Sequence, residues 1–126
     1  MGLRDAFRAL LASFDGRERV EARSMQLLRA CLTPGQREQF HAFGHFEVIG
    51  IDSGCSYQIR NLSSINVEQL DNDGRCLQKL CFGPTGGLAR GDILLAQKVA
   101  LETFETDALA AAHCYPSYSQ EMSQRR

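Results

Sequence analysis

The chain reads as an α+β domain: a four-stranded antiparallel sheet of two hairpins, one face covered by a C-terminal helix, preceded by short N-terminal helices. Three observations carry this reading. Two central stretches alternate apolar and polar residues around the turn dipeptides Ser53-Gly54 and Asp73-Gly74. The flanking segments instead space their apolar residues three and four apart, the helical period. Thr33-Pro34-Gly35-Gln36 joins an N-cap Thr, Pro at the first helical position and Gln at the third, a capping box.

Leu3, Phe7, Leu10, Leu11 and Phe14 form one apolar stripe on a short first helix, which Asp15-Gly16 interrupts. A second helical segment, about residues 17–32, turns Val20, Leu27, Leu28 and Cys31 to one side. The capped helix ends near Gly44, with Phe40 and Phe43 as its buried side.

The first hairpin spans 46–61. A two-residue Ser53-Gly54 loop sets Val48 opposite Ile59, Gly50 beneath Tyr57 and Glu47 opposite Arg60, because loop length fixes register. The second closes on Asp73-Gly74 and sets Val67 opposite Leu80, Ile65 opposite Phe82 and Glu68 opposite Lys79. Leu70 opposite Leu77 puts an apolar pair on the charged face, where a helix end or a partner is expected to cover it.

Gly83-Pro84-Thr85-Gly86-Gly87 breaks the sheet, and Gly91-Asp92 opens the last helix with an acidic cap. That helix, about 92–112, carries Ile93, Ala96, Ala100, Phe104, Ala108 and Ala111 along one side, expected to lie on the apolar sheet face. The domain divides as an N-terminal helical arm at 1–31, a compact α+β unit at 32–114 and a flexible polar tail at 115–126.

Composition narrows the function. Lys plus Arg number 14 against 15 Asp plus Glu, so no basic surface argues for nucleic acid or for anionic lipid. No apolar run reaches the length of a membrane span, and the start lacks a secretory layout. Five cysteines, an odd number, do not make a disulfide framework, which fits a reducing cytoplasm.

Candidate chemistry is sparse. His41 and His45 stand four apart and could hold two corners of a metal, but no spaced third ligand joins them. Cys55 beside the first turn is the most exposed candidate thiol, and no base is positioned to activate it. The loop before the last helix lacks the Lys-Ser/Thr end of a phosphate-binding loop. No catalytic residue and no cofactor is assigned.

The block from Leu32-Thr33-Pro34 through Phe46-Glu47-Val48-Ile49-Gly50, Tyr57-Gln58-Ile59-Arg60, Asn66-Val67-Glu68, Leu80-Cys81-Phe82-Gly83-Pro84 and Gly91-Asp92-Ile93-Leu94-Leu95-Ala96-Gln97-Lys98 resembles a recurring small domain of uncharacterised bacterial proteins. The resemblance covers about residues 32–112. It implies one compact unit in a bacterial cytoplasm and brings no activity with it.

The expectation is therefore a non-catalytic interaction or regulatory module, with a protein partner or a second copy as its ligand. Its contact residues would be Leu3, Phe7, Leu10, Leu11, Phe14, Leu70 and Leu77. The alternative is a small metal- or thiol-dependent enzyme or sensor using His41, His45 and Cys55.

Overall fold

The computed structural model describes residues 2–62, 64–82 and 87–117, the side chains of 10–15 excepted. Helix α1 (Leu3–Cys31) and helix α2 (Pro34–Phe43) come first. Strands β1 (His45–Ile49), β2 (Ser56–Arg60), β3 (Val67–Leu70) and β4 (Cys76–Cys81) follow, then helices α3 (Arg90–Thr103) and α4 (Glu105–Ala111), then strand β5 (His113–Pro116). The five strands form one antiparallel sheet in chain order. This is the predicted α+β class with a fifth strand and a second C-terminal helix added.

The predicted break at Asp15-Gly16 does not occur: α1 is one helix of 29 residues. One glycine costs a helix about 1 kcal/mol, less than a new nucleation event would. Its C-terminal half is anchored, with Ser24 and Leu28 buried. Gly91 at the start of α3 lies so close that a Cβ there would overlap the Ser24 backbone.

Helix α2 starts on the predicted capping box. Thr33 Oγ1 accepts from the Gln36 amide, and Gln36 Oε1 accepts from the Thr33 amide. Gly44 ends the helix in the left-handed region at φ 73°. The helix also finishes the sheet edge. Gln36 Nε2 donates to the Glu47 carbonyl at 2.8 Å, and Gln39 Oε1 accepts from the Glu47 amide at 3.0 Å. Edge groups of β1 that would otherwise invite another strand are thereby occupied.

The first hairpin closes on a longer loop than the predicted one. Gly50 pairs with Cys55, Ile49 faces Ser56, Val48 faces Tyr57, Phe46 faces Ile59 and Glu47 faces Gln58. The register is thus two residues from the predicted one, and an even shift keeps every side chain on its expected face. Phe46, Val48, Tyr57 and Ile59 all enter the core. Glu47 does not meet Arg60, whose guanidinium instead reaches Glu68 at 3.3 Å.

In the second hairpin Val67 faces Leu80 and Glu68 faces Lys79, as predicted. A bulge between Gln69 and Leu70 then brings Leu70 opposite Cys76 rather than Leu77. Asp71 organises the turn, its Oδ1 accepting from the amides of Asp73 and Arg75. Ile65 stands outside the strand at φ 48° and does not pair with Phe82.

Helix α3 covers the apolar sheet face, but with a different side from the expected one. Leu94, Gln97, Lys98 and Leu101 are buried, while Ala96 is exposed and Ile93 and Ala100 are half-buried. The larger leucines gain more from burial than the alanine side can. Its first N–H groups are capped from α1, not by Asp92. Glu21 accepts from the Arg90 amide and Ser24 Oγ from the Gly91 amide.

The single predicted helix breaks at Phe104, with φ −135° and ψ 49°. After α4 the chain returns as β5, which pairs with β4 and takes in Tyr115 and Pro116, residues expected in the flexible tail. The predicted loop at 83–86 and the tail residues 118–126 lie outside the described residues.

Candidate interaction surfaces

Four places could carry function, and the strongest is the free end of α1. The helix is held by Glu21, Ser24 and Leu28, and from there Leu3 is about 31 Å along the axis at 1.5 Å per residue. Leu3 is 90% exposed and Phe7 61%, and with Arg4 and Ala6 they line a shallow apolar surface. The sequence spacing Leu3, Phe7, Leu10, Phe14, Arg17, Glu21, Ser24, Leu28 is an unbroken three-four alternation. The helix face that meets the start of α3 at Ser24 continues in sequence position into the arm, which lies beyond that start. The side chains of Leu10, Leu11 and Phe14 lie outside the described residues.

The outer side of α3 is the second place. Phe82, Leu88, Ile93, Ala96, Gln97 and Ala100 line a hollow of about 200 Å³. Phe104, 59% exposed, follows at the next turn. This is the alanine side that the sequence pattern assigned to the sheet.

The third is the sheet face opposite the helices. Glu68 there sits between Arg60 at 3.3 Å and Lys79 at 3.9 Å. Burial pushes the Cys76 thiol up, and the Glu68 carboxylate adds to it. Leu70, which follows the bulge, is buried and Leu77 half-buried. Of the two leucines, only Leu77 offers surface to a partner.

Glu105 is the fourth. Its residue is 1% exposed, yet its carboxylate is surrounded by donors. The amides of Asp52 and Ser53 donate to Oε1 at 2.8 Å each, and Tyr57 Oη donates to Oε2 at 2.5 Å. The Ser53 hydroxyl donates to Oε2 as well. Burial alone would raise the carboxyl pKa; the bonds from Ser53, Tyr57 and Asp52 outweigh it and hold the group below its ordinary range. Burial, and next the Glu105 bond, push the Tyr57 hydroxyl well above the usual phenol value. Asp52 answers by accepting from Thr106 N and Oγ1 at the start of α4. Both ionisable groups are locked in one protonation state at neutral pH, so the cluster is a clasp between the first hairpin and α4. Sequence spacing gave no sign of it, since its partners lie about fifty residues apart.

The residues of the alternative chemistry do not converge. Helix α2 ends at Phe43, so His41 lies on the helix and His45 on β1, where its ring stacks on Phe43 at 5.5 Å. Cys55 is half-buried against the core, its amide donating to Ser53 Oγ. Among the described residues no three His, Cys, Asp or Glu side chains gather in a metal-holding arrangement. His45 Nδ1 and Arg60 Nε are buried without a partner beside a hollow of about 270 Å³.

Among the described residues no helix is long and apolar enough to cross a membrane. No family model, no curated protein and no solved structure matches the chain.

Proposed function

We propose that this protein is a non-catalytic interaction module that associates with a second copy of itself through the free end of α1. The observation that carries the reading is the exposure of Leu3 and Phe7 on a helix whose other half is anchored in the core. A buried Leu or Phe side chain gains roughly 1.5–3 kcal/mol over an exposed one, so a helical arm exposing Leu3 and Phe7 has a strong drive to find cover. Arg4, Asp5 and Arg8 mix both signs along the same segment, which suits contact with a like helix better than with an anionic surface. Five unpaired cysteines and a near-neutral balance suit a cytoplasmic setting.

Light scattering on the full chain tests the reading. The native protein is expected at the mass of two chains, and Phe7→Glu at the mass of one with an unchanged circular dichroism spectrum. A native protein that stays at one chain across the micromolar range overturns it.

A further inference from the structure

We infer that the hollow where α2 meets the first hairpin is a binding site for a small organic carboxylate, held by His45 and Arg60. Its walls are two short stretches of chain, Phe43 to His45 where α2 passes into β1 and Arg60 to Leu62 where β2 ends. The inference is independent of the self-association proposed above.

Two buried nitrogens at this hollow, His45 Nδ1 and Arg60 Nε, have no hydrogen-bond partner among the described residues. Both are donors. A guanidinium nitrogen can only donate, and Gln58 Nε2, itself a donor, lies 3.5 Å from His45 Nε2, which leaves the ring hydrogen on Nδ1. His45 faces Arg60 across the β1–β2 ladder, so their Cβ atoms stand roughly 4.5–5.5 Å apart on one face of the sheet. One acceptor group with two oxygens can therefore meet both. Buried donors left unpaired keep their desolvation cost, and an anionic oxygen is the strongest acceptor that could relieve it.

The charge around the hollow agrees. Arg60 Nη2 and Lys79 Nζ share the one Glu68 carboxylate, at 3.3 Å and 3.9 Å, so a positive charge is left over. Arg90 adds another at the rim, where its Nη1 donates to Asn61 Oδ1 at 3.4 Å. Glu47 shares this face of β1 two positions along, but it does not line the hollow. The walls are also fixed in advance. The Asn61 amide donates to the Gly44 carbonyl at 2.9 Å, the Arg60 carbonyl accepts from the Leu62 amide and from Asn66 Nδ2, and the His45 ring stacks on Phe43.

Size and lining narrow the ligand. A volume of about 270 Å³ exceeds what one bridging water needs and falls just below the roughly 300–1,000 Å³ of sites for drug-sized molecules. Phe43 and Leu62, both exposed, give the hollow an apolar rim. Paired donors inside and apolar side chains at the rim suit an acid group on a short apolar body; an inorganic oxyanion would leave the rim unused.

Titration of the full chain with sodium benzoate, followed by amide NMR shifts, tests the site. Benzoate is expected to shift the amides of 43–47 and 60–62 and to saturate in the millimolar range. Benzyl alcohol, a ring without the charge, and inorganic phosphate, a charge without the ring, are each expected to bind at least about tenfold more weakly. Arg60→Lys keeps a positive charge beside Glu68 and removes the Nε hydrogen, whereas His45→Phe keeps a ring on Phe43 and removes Nδ1. Each is expected to weaken benzoate about tenfold, the equivalent of one hydrogen bond to a charged group, with an unchanged circular dichroism spectrum. Lys79→Gln removes a nearby charge without touching the hollow and is expected to change binding by less than about twofold, because an exposed charge is screened. Absence of shifts at these amides, or phosphate or benzyl alcohol binding as tightly as benzoate, overturns the site. So does benzoate binding that survives both donor substitutions, or that falls as far in Lys79→Gln as in Arg60→Lys. If one donor variant fails to fold, the other variant and the three-ligand comparison in the native protein still decide.

Discussion

The Glu105 carboxylate occupies the space that a side chain at Gly50 would need. A Cβ built on Gly50 falls among the carboxylate atoms of Glu105, which is held there by Asp52, Ser53 and Tyr57. The glycine is needed at this point for room, because its backbone lies at the mouth of the first hairpin directly under a buried charge. Gly50→Ala is expected to displace the carboxylate and cost about 1–3 kcal/mol, as does overpacking a well-filled site. In a Glu105→Ala background the same change is expected to be nearly neutral, since the space is empty. Urea midpoints of the two single variants and the double variant measure this coupling; additive effects would show that the two residues act independently.

Acid should weaken the same clasp. The folded pKa of Glu105 is depressed, so its contribution is present above the unfolded carboxyl value of about 4.3 and is lost as pH falls through the folded value. Glu105→Gln, which resembles the protonated acid, is expected to be less stable than the native protein by roughly 1.5–3 kcal/mol at pH 7. The difference should shrink as pH falls below about 4. Comparing the two proteins cancels the other carboxylates. A gap that widens toward acid would show the sign to be reversed.

These two residues also explain where sequence reading stopped. Strand faces were legible because side chains alternate with a period of two, and an even slip leaves that alternation intact. The slip itself was hidden. Ser53-Gly54 looks like a two-residue loop, but the Asp52 and Ser53 amides turn toward a carboxylate 53 and 52 positions away, and the loop opens to reach it. The break at Phe104 has the same origin, since Asp52 draws the Thr106 amide into a new helix start. Helix α3 misled through composition. Ile93 with Ala96 and Ala100 at helical spacing suggests close packing on a sheet, whereas Leu94 and Leu101 carry more area and take the core, bringing Gln97 and Lys98 in with them. The apolar arm was legible as a stripe; the hollow beside Ile93 and Ala96 became visible only once that helix had been turned.

Gly91 supports a third prediction, of a sign opposite to helix propensity. In an open helix Gly→Ala gains up to about 1 kcal/mol. Here the new methyl would strike the carbonyl of Ser24, a backbone atom that cannot rotate away. Gly91→Ala is expected to lower stability by about 1–3 kcal/mol and to loosen α1 from α3, with faster amide exchange at 24–28. A raised melting temperature would mean that the two helices sit farther apart than described.

The last prediction concerns a polar latch in the core. Asn66 Nδ2 donates to Gln97 Oε1 at 2.7 Å and Gln97 Nε2 donates to Asn66 Oδ1 at 2.9 Å, with both residues buried. Asn66 Nδ2 also reaches the Arg60 carbonyl at 3.1 Å, so the pair ties α3 to the loop between β2 and β3. A buried amide that loses its partner keeps its desolvation cost, about 1–3 kcal/mol, with nothing to offset it. Asn66→Ala and Gln97→Ala are each expected to cost at least that much. Asn66→Leu with Gln97→Met removes both polar ends and fills the volume, so its cost should fall below the sum of the two single alanine changes and can approach zero. What the double variant should lose is the fixed placement of α3, since apolar contacts lack direction whereas two reciprocal hydrogen bonds specify one register. Denaturant midpoints give the energies, and amide line widths along α3 report the placement. If the double variant costs the full sum, the two amides contribute separately and the latch is not a unit.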